Sequence, residues 1–356
     1  MQMNLYQNDK YLEDIRYVSG LDLPWEKLEG RRLMLSGATG LLGSFLIDVI
    51  MEKNDFDGMN CTVYALGRSE KKARERFYKY AENQNLVFIP FDVSKPFKCK
   101  SLLAVDYVLH MASNTHPMQY ATDPIGTITT NIIGLQNMLE FAVGRHAVRF
   151  AFASSNEIYG ENRGDAEFFD ENYCGYINSN TLRAGYPESK RCGEALCQAY
   201  KEQKCLDVVI PRFTRSYGPT MLMSDTKAIS QFIRKGIAGE DIVLKSSGTQ
   251  YYSYQYVADS VSGLLRILLC GENGEAYNIA EEHSDIMLKD LAAIVADMNG
   301  KNVVFEIPDA VEASGYSTAT KARLDGRKLE KLGWKPRYDI KTGMERTIQI
   351  LKELSI

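Results

Sequence analysis

The chain reads RLMLSGATGLLG from Arg32 to Gly43, and this stretch decides the fold. Its first five residues are predicted to form a short buried strand, the glycines after them a tight turn, and the apolar residues through Ile50 a helix. Glycines in such a turn let the backbone approach a pyrophosphate, which then lies at the positive end of the helix. The stretch therefore predicts a dinucleotide site. The expected cofactor contacts are Gly37, Thr39, Gly40, Leu41, Leu42 and Gly43.

Apolar strand candidates and helical stretches alternate after this turn. The strand candidates span residues 62–66, 86–90, 105–109, 148–153 and 206–210. This alternation predicts an α/β fold with a doubly wound parallel sheet, whose ligand lies at the carboxyl ends of the strands. Further cofactor contacts expected at those ends are Arg68, Asp92, Val93, Met111, Ala112 and Ser113.

Loops become longer and elements shorter after Pro211, which indicates a smaller C-terminal α/β domain for the substrate. The extension at the start of the chain carries no convergent chemistry, so a packing flap or a dimer contact is favoured over a substrate element. We expect this extension over 1–30, a dinucleotide-binding domain over 31–211 to which 250–268 returns, and a substrate-binding domain over 212–249 and 269–356.

Arg68 follows the second predicted strand, where the adenosine ribose of a dinucleotide normally lies. An acidic residue at this position accepts the 2′-hydroxyl of NAD, whereas an arginine accommodates the 2′-phosphate of NADP. The sequence Gly67-Arg68-Ser69 contains no acid, so it favours NADP(H) over NAD. The alternative is that Arg68 stacks on the adenine or lies in solvent.

Two further segments carry the candidate catalytic residues: ASSNEIYG from Ala153 to Gly160 and GYPESK from Gly185 to Lys190. Tyr186 and Lys190 are four residues apart at the start of a predicted helix, so both side chains lie on one face. A nearby ammonium group favours the phenolate, which would make Tyr186 a base near neutral pH. Ser155 would offer a hydroxyl to the same reacting oxygen, and Glu157 would be a second base. A bare Tyr-x-x-x-Lys pattern is a weak signal in a chain with 21 tyrosines.

The composition is that of an ordinary globular protein, since 45% of the 356 residues are hydrophobic and 25% are charged. The net charge of -4 and the absence of a basic run argue against a nucleic-acid partner. No apolar run reaches membrane-spanning length and the first residues carry no signal pattern, so we expect no membrane partner and a cytoplasmic location. Seven scattered cysteines without a Cys-x-x-Cys pattern suggest reduced thiols and no metal site.

With the glycine turn, a Ser-x-x-x-Tyr-Gly segment and Tyr-x-x-x-Lys in one order, the chain resembles the extended short-chain dehydrogenase/reductases over about residues 31–350. The resemblance also rests on Arg212, Tyr217-Gly218-Pro219 and Gly248-Thr249-Gln250. It implies a Rossmann sheet, NAD(P) as cofactor, a small-molecule substrate and a place for Asn131, Tyr186 and Lys190 in the cofactor site, with Lys190 on the ribose. It also implies a homodimer through the helices at 131–143 and 186–203.

The segment from Ser155 to Gly160 narrows the reaction. It is similar to the corresponding segment of sugar-nucleotide 4,6-dehydratases and UDP-glucuronate decarboxylases, whereas plain 4-epimerases have no acid where Glu157 stands. A C4 ketone activates the neighbouring C5 position, at which a carboxylate can act. Asn156 replaces the aspartic acid that protonates the leaving hydroxyl in hexose dehydratases. The resemblance therefore leaves a decarboxylase, or an enzyme like GDP-mannose dehydratase, and the segment 219–233 is closest to the decarboxylases.

Three departures from the family pattern concern the substrate. Arg215 stands where most relatives have asparagine, and Tyr252 and Thr220 stand where arginines are common. Our hypothesis is that Arg215 takes over an anionic contact, with the diphosphate or with a sugar carboxylate. Pairing of Arg215 with a local acid is the open alternative. The substrate contacts that we expect are Ser113, Asn156, Arg215 and Tyr252.

The resemblance as a whole implies an NAD(P)-dependent enzyme that modifies a sugar nucleotide, by C4 oxidation followed by chemistry at C5. One alternative is a reductase that consumes NADPH on a keto-sugar or another carbonyl, which Arg68 and the missing diphosphate arginine favour. Another is a cofactor-binding sensor or assembly protein without turnover. The intact Ser155, Tyr186 and Lys190 argue against that role, because binding alone requires no poised phenol.

Overall fold

The structure, a computed structural model, describes residues 4–97, 104–306, 308, 313–314, 316 and 319–354. The strands are β1 Arg32–Ser36, β2 Thr62–Gly67, β3 Leu86–Pro90, β4 Tyr107–His110, β5 Arg149–Phe152, β6 Ser154–Ser155, β7 Val208–Phe213, β8 Arg215–Tyr217, β9 Ile242–Leu244, β10 Tyr251–Tyr256, β11 Ala276–Ile279, β12 Asp285–Met287, β13 Val303–Phe305 and β14 Lys321–Ala322. The helices are α1 Asp9–Ser19, α2 Leu41–Asp57, α3 Glu70–Arg76, α4 Pro117–Thr122, α5 Pro124–Gly144, α6 Gly185–Lys204, α7 Ala228–Ala238, α8 Val257–Cys270, α9 Leu288–Asp297, α10 Arg327–Lys331 and α11 Ile340–Glu353.

The large sheet has the strand order β11-β7-β5-β4-β1-β2-β3, and β6 also pairs with β7. Its neighbouring strands run parallel. The chain leaves β1 toward β2 and β3 and then crosses to β4 on the other side, so the order reverses between β1 and β4. A ligand crevice lies at such a reversal, outside the carboxyl ends of the strands. The doubly wound parallel sheet predicted from the sequence is therefore confirmed.

Burial explains why these segments form strands. Every residue of β4 and of β7 is buried, and β1 is exposed only at Arg32. Parallel strands that are covered on both faces require such continuous apolar runs. Helix α2 is buried along most of its length because it packs against both α1 and α8.

A smaller sheet is built around β10, although β10 lies in the segment 250–268 that the sequence analysis assigns to the dinucleotide-binding domain. Strand β10 pairs with β8, β12 and β14, and β9 pairs with β13 beside helices α7 and α9. The sequence-based boundary at residue 269 assigns β11 to this part, but β11 pairs with β7 in the large sheet. The large sheet therefore takes a strand from the region 269–356, and the division into domains stays a proposal.

The N-terminal segment packs against the body of the protein. Helix α1 contacts α2, α8 and α11. Its Asp14 is fully buried and accepts hydrogen bonds from Tyr256 Oη at 2.5 Å, Tyr338 Oη at 2.8 Å and Arg346 Nε at 2.7 Å. Burial raises the pKa of Asp14, while these three donors oppose the rise. The extension is thus tied to the C-terminal helix. Among the described residues, no helix is both long and apolar enough to cross a bilayer.

Candidate active site

The glycine turn after β1 leaves space that side chains would fill. Gly37 has a φ of +78°, and a Cβ atom there would lie 2.9 Å from the backbone of Met111 and Ala112. A Cβ atom at Gly43 would lie 2.4 Å from the Gly37 carbonyl oxygen. Helix α2 starts directly after Gly40 without a side-chain cap. Backbone donors at this positive helix end fit the pyrophosphate of a dinucleotide.

A cavity of about 720 Å³ runs from this turn across the carboxyl ends of the strands into the substrate side. Nearly all of the predicted cofactor contacts line it, and Asn131 is the exception among them. Asn131 is fully buried behind the cavity, where it donates to Ser189 Oγ at 2.8 Å and accepts from Ser113 Oγ at 2.7 Å. Asn131 therefore supports Ser113, which does line the cavity, and links the loop after β4 to α6.

Two cations lie at the end of the cavity that would hold the adenosine ribose. Arg68 and Lys72 both line this end. The Asp92 carboxyl accepts from the Ser94 backbone amide, which lowers its pKa, and the charges of Arg68 and Lys95 lower it further. Arg68 is therefore close enough for its charge to act on Asp92.

Tyr186 and Lys190 lie in the first turns of α6, as predicted, and both side chains are buried. Lys190 Nζ donates to the Ala153 carbonyl oxygen at 2.7 Å and lies 5.9 Å from the centre of the Tyr186 ring. Burial lowers the pKa of Lys190 to about 7. The lysine is thus held between the end of β5 and the phenol.

The electrostatics of the Tyr186 phenol differ from the expectation. Burial and the charge of Glu157 raise the pKa of Tyr186 above its usual range. The groups that oppose this rise most are the hydrogen bond with Ser155, the charge of Arg183 and a hydrogen bond with Tyr120. The physical reason is that desolvation of the phenolate outweighs its polar contacts. A role of Lys190 in activating the phenol stays a prediction.

Glu157 is held by an arginine that the sequence analysis missed. Arg183 Nη2 donates to both carboxylate oxygens of Glu157, at 2.7 and 2.8 Å. The Arg183 guanidinium also lies 4.8 Å from the centre of the Tyr120 ring, which stacks on Tyr186 at 4.8 Å. The position of Arg183, three residues before Tyr186, was an available signal. Tyr120 lies on the distant helix α4, and no spacing in the sequence links it to Tyr186.

Ser155 and Asn156 complete this cluster. Ser155 Oγ accepts from the Glu157 backbone N–H at 3.2 Å and so caps the short 3-10 helix Asn156–Tyr159. This cap directs Glu157 toward the cavity, which Ser155 and Asn156 also line. The structure therefore brings together all four predicted catalytic residues. Their catalytic roles stay a prediction.

Arg215 and Tyr252 meet on the substrate side. Strands β8 and β10 run parallel, and the guanidinium carbon of Arg215 lies 3.4 Å from the centre of the Tyr252 ring. Tyr252 Oη donates to the Ala319 carbonyl oxygen at 2.6 Å. Arg215 Nη1 is buried without a hydrogen-bond partner, and Arg215 forms no ion pair with any acid that the structure describes. The alternative of a local acidic partner is therefore not observed.

Other contacts join the two sides of the cavity. Thr220, at a position where relatives often have arginine, donates to the Leu41 carbonyl oxygen at 2.8 Å. His116 Nδ1, next to α4, lies 3.0 Å from Asp225 Oδ1, and Lys227 Nζ donates to the same carboxylate at 2.9 Å. Contacts with His116 and Lys227 hold the pKa of Asp225 well below its usual range despite its burial. The sequence analysis missed this His116–Asp225 contact.

Two histidine and metal questions have direct structural answers. His110 is the last residue of β4, and burial lowers its pKa to about 3, so it is a neutral packed side chain. It lies 2.9 Å from Ser36 Oγ through its Nδ1 atom. In the part of the chain that the structure describes, no group of three or more His, Cys, Asp or Glu side chains is arranged to hold a metal ion.

Comparisons with known proteins agree with this geometry. Residues 33–280 match the model of the NAD dependent epimerase/dehydratase family. The chain is 30% identical over 330 residues to UDP-glucuronic acid decarboxylase 2 of Arabidopsis thaliana, an alignment that covers 92% of this chain and 69% of that protein. It is 31% identical over 328 residues to UDP-glucuronic acid decarboxylase 1 of Xenopus tropicalis, covering 91% and 72% of the two chains.

Solved structures show the same fold at lower identity. A dTDP-glucose 4,6-dehydratase from Streptomyces venezuelae, with NAD and TYD bound, aligns with a TM-score of 0.78 at 24% identity and covers 90% of this chain and 97% of its own. UDP-glucose 4-epimerase from Thermotoga maritima, with UDP-glucose, aligns with a TM-score of 0.77 at 21% identity and covers 91% and 100%.

Proposed function

This chain belongs to the NAD-dependent epimerase/dehydratase family, and we propose that it is a decarboxylase of a nucleotide-diphosphate uronic acid. The observation that carries the proposal is the cluster of Tyr186, Ser155 and Glu157 in one cavity, with Asn156 at the position that needs an acid for hexose dehydration. The relatives that match along most of the chain are named UDP-glucuronic acid decarboxylases, which supports the same reaction.

The first step is oxidation at C4 of the sugar. Tyr186 in its phenolate form takes the proton of the C4 hydroxyl, and Ser155 donates a hydrogen bond to the C4 oxygen as its charge changes. NAD, when bound, accepts the C4 hydride and later returns it. The glycine turn, Asp92 and Lys190 would hold this cofactor against the sugar.

The C5 step depends on Glu157. Once C4 is a ketone, the bond from C5 to the C6 carboxylate breaks and its electron pair moves toward the C4 oxygen. Carbon dioxide leaves, and Glu157 passes to C5 a proton that it takes up from solvent water. Arg183 engages both oxygens of Glu157, so this carboxylate meets C5 in a fixed orientation.

Arg215 is the proposed anion contact of the substrate. In relatives the arginine usually stands at the position of Tyr252, whereas here the cation comes from the neighbouring strand and lies directly over the Tyr252 ring. Its partnerless Nη1 group is available to a phosphate or a carboxylate. We assign this contact to the diphosphate or to the sugar carboxylate.

Cofactor preference and assembly are further parts of the proposal. Arg68 and Lys72 at the ribose end favour NADP(H), which titration of the protein with NAD and NADP side by side would test. Homodimer formation through α5 and α6 is supported by Ile125 and Ile133 on α5, which are 75% and 43% exposed, and by Leu182 just before α6, which is 70% exposed. Sedimentation would test this homodimer.

The direct test is to incubate the purified protein with UDP-glucuronic acid and to measure both carbon dioxide and the pentose product by mass spectrometry. The proposal expects product without net change in cofactor, and it expects Glu157→Gln to lose the C5 step. A reductase is the second candidate, because the cations at the ribose end favour NADPH. Stoichiometric loss of reduced cofactor with a keto-sugar, without carbon dioxide, would favour the reductase and refute the decarboxylase.

A further inference from the structure

A second cavity lies behind the ion pair of Glu157 and Arg183. It has a volume of about 180 Å³. Asn156, Glu157, Arg183 and Arg215 line both this cavity and the large one, so the two spaces share one wall. Because Glu157 faces both spaces, anything formed at C5 of the sugar arises next to this wall.

The second cavity reaches the protein surface on its far side. Tyr176, Asn178 and Thr181 line it there, and all three side chains are exposed, Tyr176 to 45%. This opening belongs to the segment between β6 and α6. The mouth of the large cavity, in contrast, lies at the carboxyl ends of the large sheet. The second cavity therefore extends from the Glu157–Arg183 pair to exposed residues, apart from the glycine turn that lines the large cavity.

The residues that line the second cavity differ in polarity. Charged and amide groups occur at the shared wall, and Glu161 adds a carboxylate beyond it. Six of the fourteen lining residues are small or apolar, namely Gly160, Ile177, Ala184, Pro187, Ala319 and Ala322. The small and apolar part of this lining offers little to an ion, which would lose its hydration there, and the Glu161 carboxylate disfavours an anion. This cavity suits a small neutral molecule.

We propose that this second cavity is the passage through which carbon dioxide leaves, an inference that rests on the proposed decarboxylation. The C4 ketone has to be reduced again before release, so the sugar nucleotide still fills the large cavity when the C5–C6 bond breaks. Carbon dioxide therefore needs a way out that the nucleotide does not block. In this proposal the carbon dioxide crosses the shared wall beside the Glu157–Arg183 pair, which then separates it from the C5 carbanion that could recapture it.

The test narrows the outer part of the passage without touching the catalytic residues. Thr181→Phe and Ile177→Phe place rings in the passage. Thr181→Ala is the matched control, because it also loses the hydrogen bond from Thr181 Oγ1 to the Asn178 carbonyl oxygen but leaves the passage open. Asn180→Phe is a second control, since Asn180 is exposed and does not line the cavity.

Each variant is mixed with UDP-glucuronic acid for a single turnover. Quenched samples are analysed by mass spectrometry for the six-carbon keto acid and the five-carbon ketone, and the absorbance of the reduced nicotinamide is followed. We expect the ketone to form at the wild-type rate in all variants. In the two narrowed variants, carbon dioxide should appear about tenfold more slowly and the six-carbon keto acid should accumulate.

The outcomes separate the two proposals. If Thr181→Phe and Ile177→Phe release carbon dioxide as fast as Thr181→Ala, the passage is refuted while the decarboxylase remains. If the wild-type protein releases no carbon dioxide at all, the proposed function fails and the passage fails with it. Slower release in Asn180→Phe as well would also refute the passage, because that ring lies outside it.

Discussion

Replacement of Arg183 by methionine tests whether this arginine acts through Glu157. The two side chains are 12% and 18% exposed and are joined by two hydrogen bonds. Breaking a buried ion pair by removal of one partner costs about 3–5 kcal/mol. That cost falls on the stability of the fold; for the C5 step, a misplaced Glu157 carboxylate should cost about a hundredfold in rate, or about 2.7 kcal/mol in the barrier.

The assay is a double-mutant cycle on single-turnover rates. Arg183→Met, Glu157→Gln and the double variant are compared for ketone formation at C4 and for loss of the C6 carboxylate. If Arg183 positions Glu157, the double variant is no slower in the C5 step than Glu157→Gln alone. Arg183→Lys, which keeps the charge but loses the planar fork, should recover part of the rate.

Two results would contradict this reasoning. Additive effects of the two substitutions would mean that Arg183 does not work through Glu157. An Arg183→Met variant with a normal C5 rate and a raised KM would mean that the arginine only binds substrate.

Three other predictions follow from the site. Arg215→Ala should weaken binding of UDP-glucuronic acid by about tenfold to a hundredfold in calorimetry, because a charge-assisted contact is lost. Tyr252→Phe keeps the ring and should change the affinity little. Normal binding by Arg215→Ala would disprove the contact. Gly37→Ala should abolish NAD binding and lower the Tm, because its Cβ atom would clash with the backbone of Met111 and Ala112. Gly164→Ala is the control: its φ of +85° brings the same backbone strain, but the space around it is open, so this variant should bind NAD normally. Burial lowers the pKa of Lys190 to about 7 from 10.5. Between these two pH values the unfolded chain therefore binds more protons than the folded one. The free energy of unfolding should rise over this range by up to ~1.4 kcal/mol per pH unit from this group. Urea titrations of Lys190→Met should lack that rise, and an unchanged slope would show that Lys190 titrates normally.

Local patterns in the sequence predicted the parallel sheet and the glycine turn after its first strand. The strand, glycine turn and helix from Arg32 onward follow from chain-local chemistry, since only glycine permits the backbone of Gly37. The assignment of β11 needed more than its four residues, because its place depends on pairing with β7 across a long separation in sequence. Strand pairing of this kind is decided by tertiary contacts rather than by propensity.

The candidate site shows the same limit. Tyr186 and Lys190 were found because one helix turn places them together, and Ser155 and Glu157 because one segment carries both. The stack of Arg215 on Tyr252 depends on the register of two parallel strands, which no local pattern contains. The raised pKa of Tyr186 depends on burial, which is a property of the folded molecule.

The contacts of the N-terminal segment have a topological consequence. Asn8 donates to Glu353 at 2.6 Å, and Asp14 joins Arg346 on the same pair of helices, so the start and the finish of the described chain lie side by side. The described chain therefore ends close to where it begins. A short linker across this junction would allow new termini to be opened in a surface loop elsewhere, and loosening of either end would release the other at the same moment.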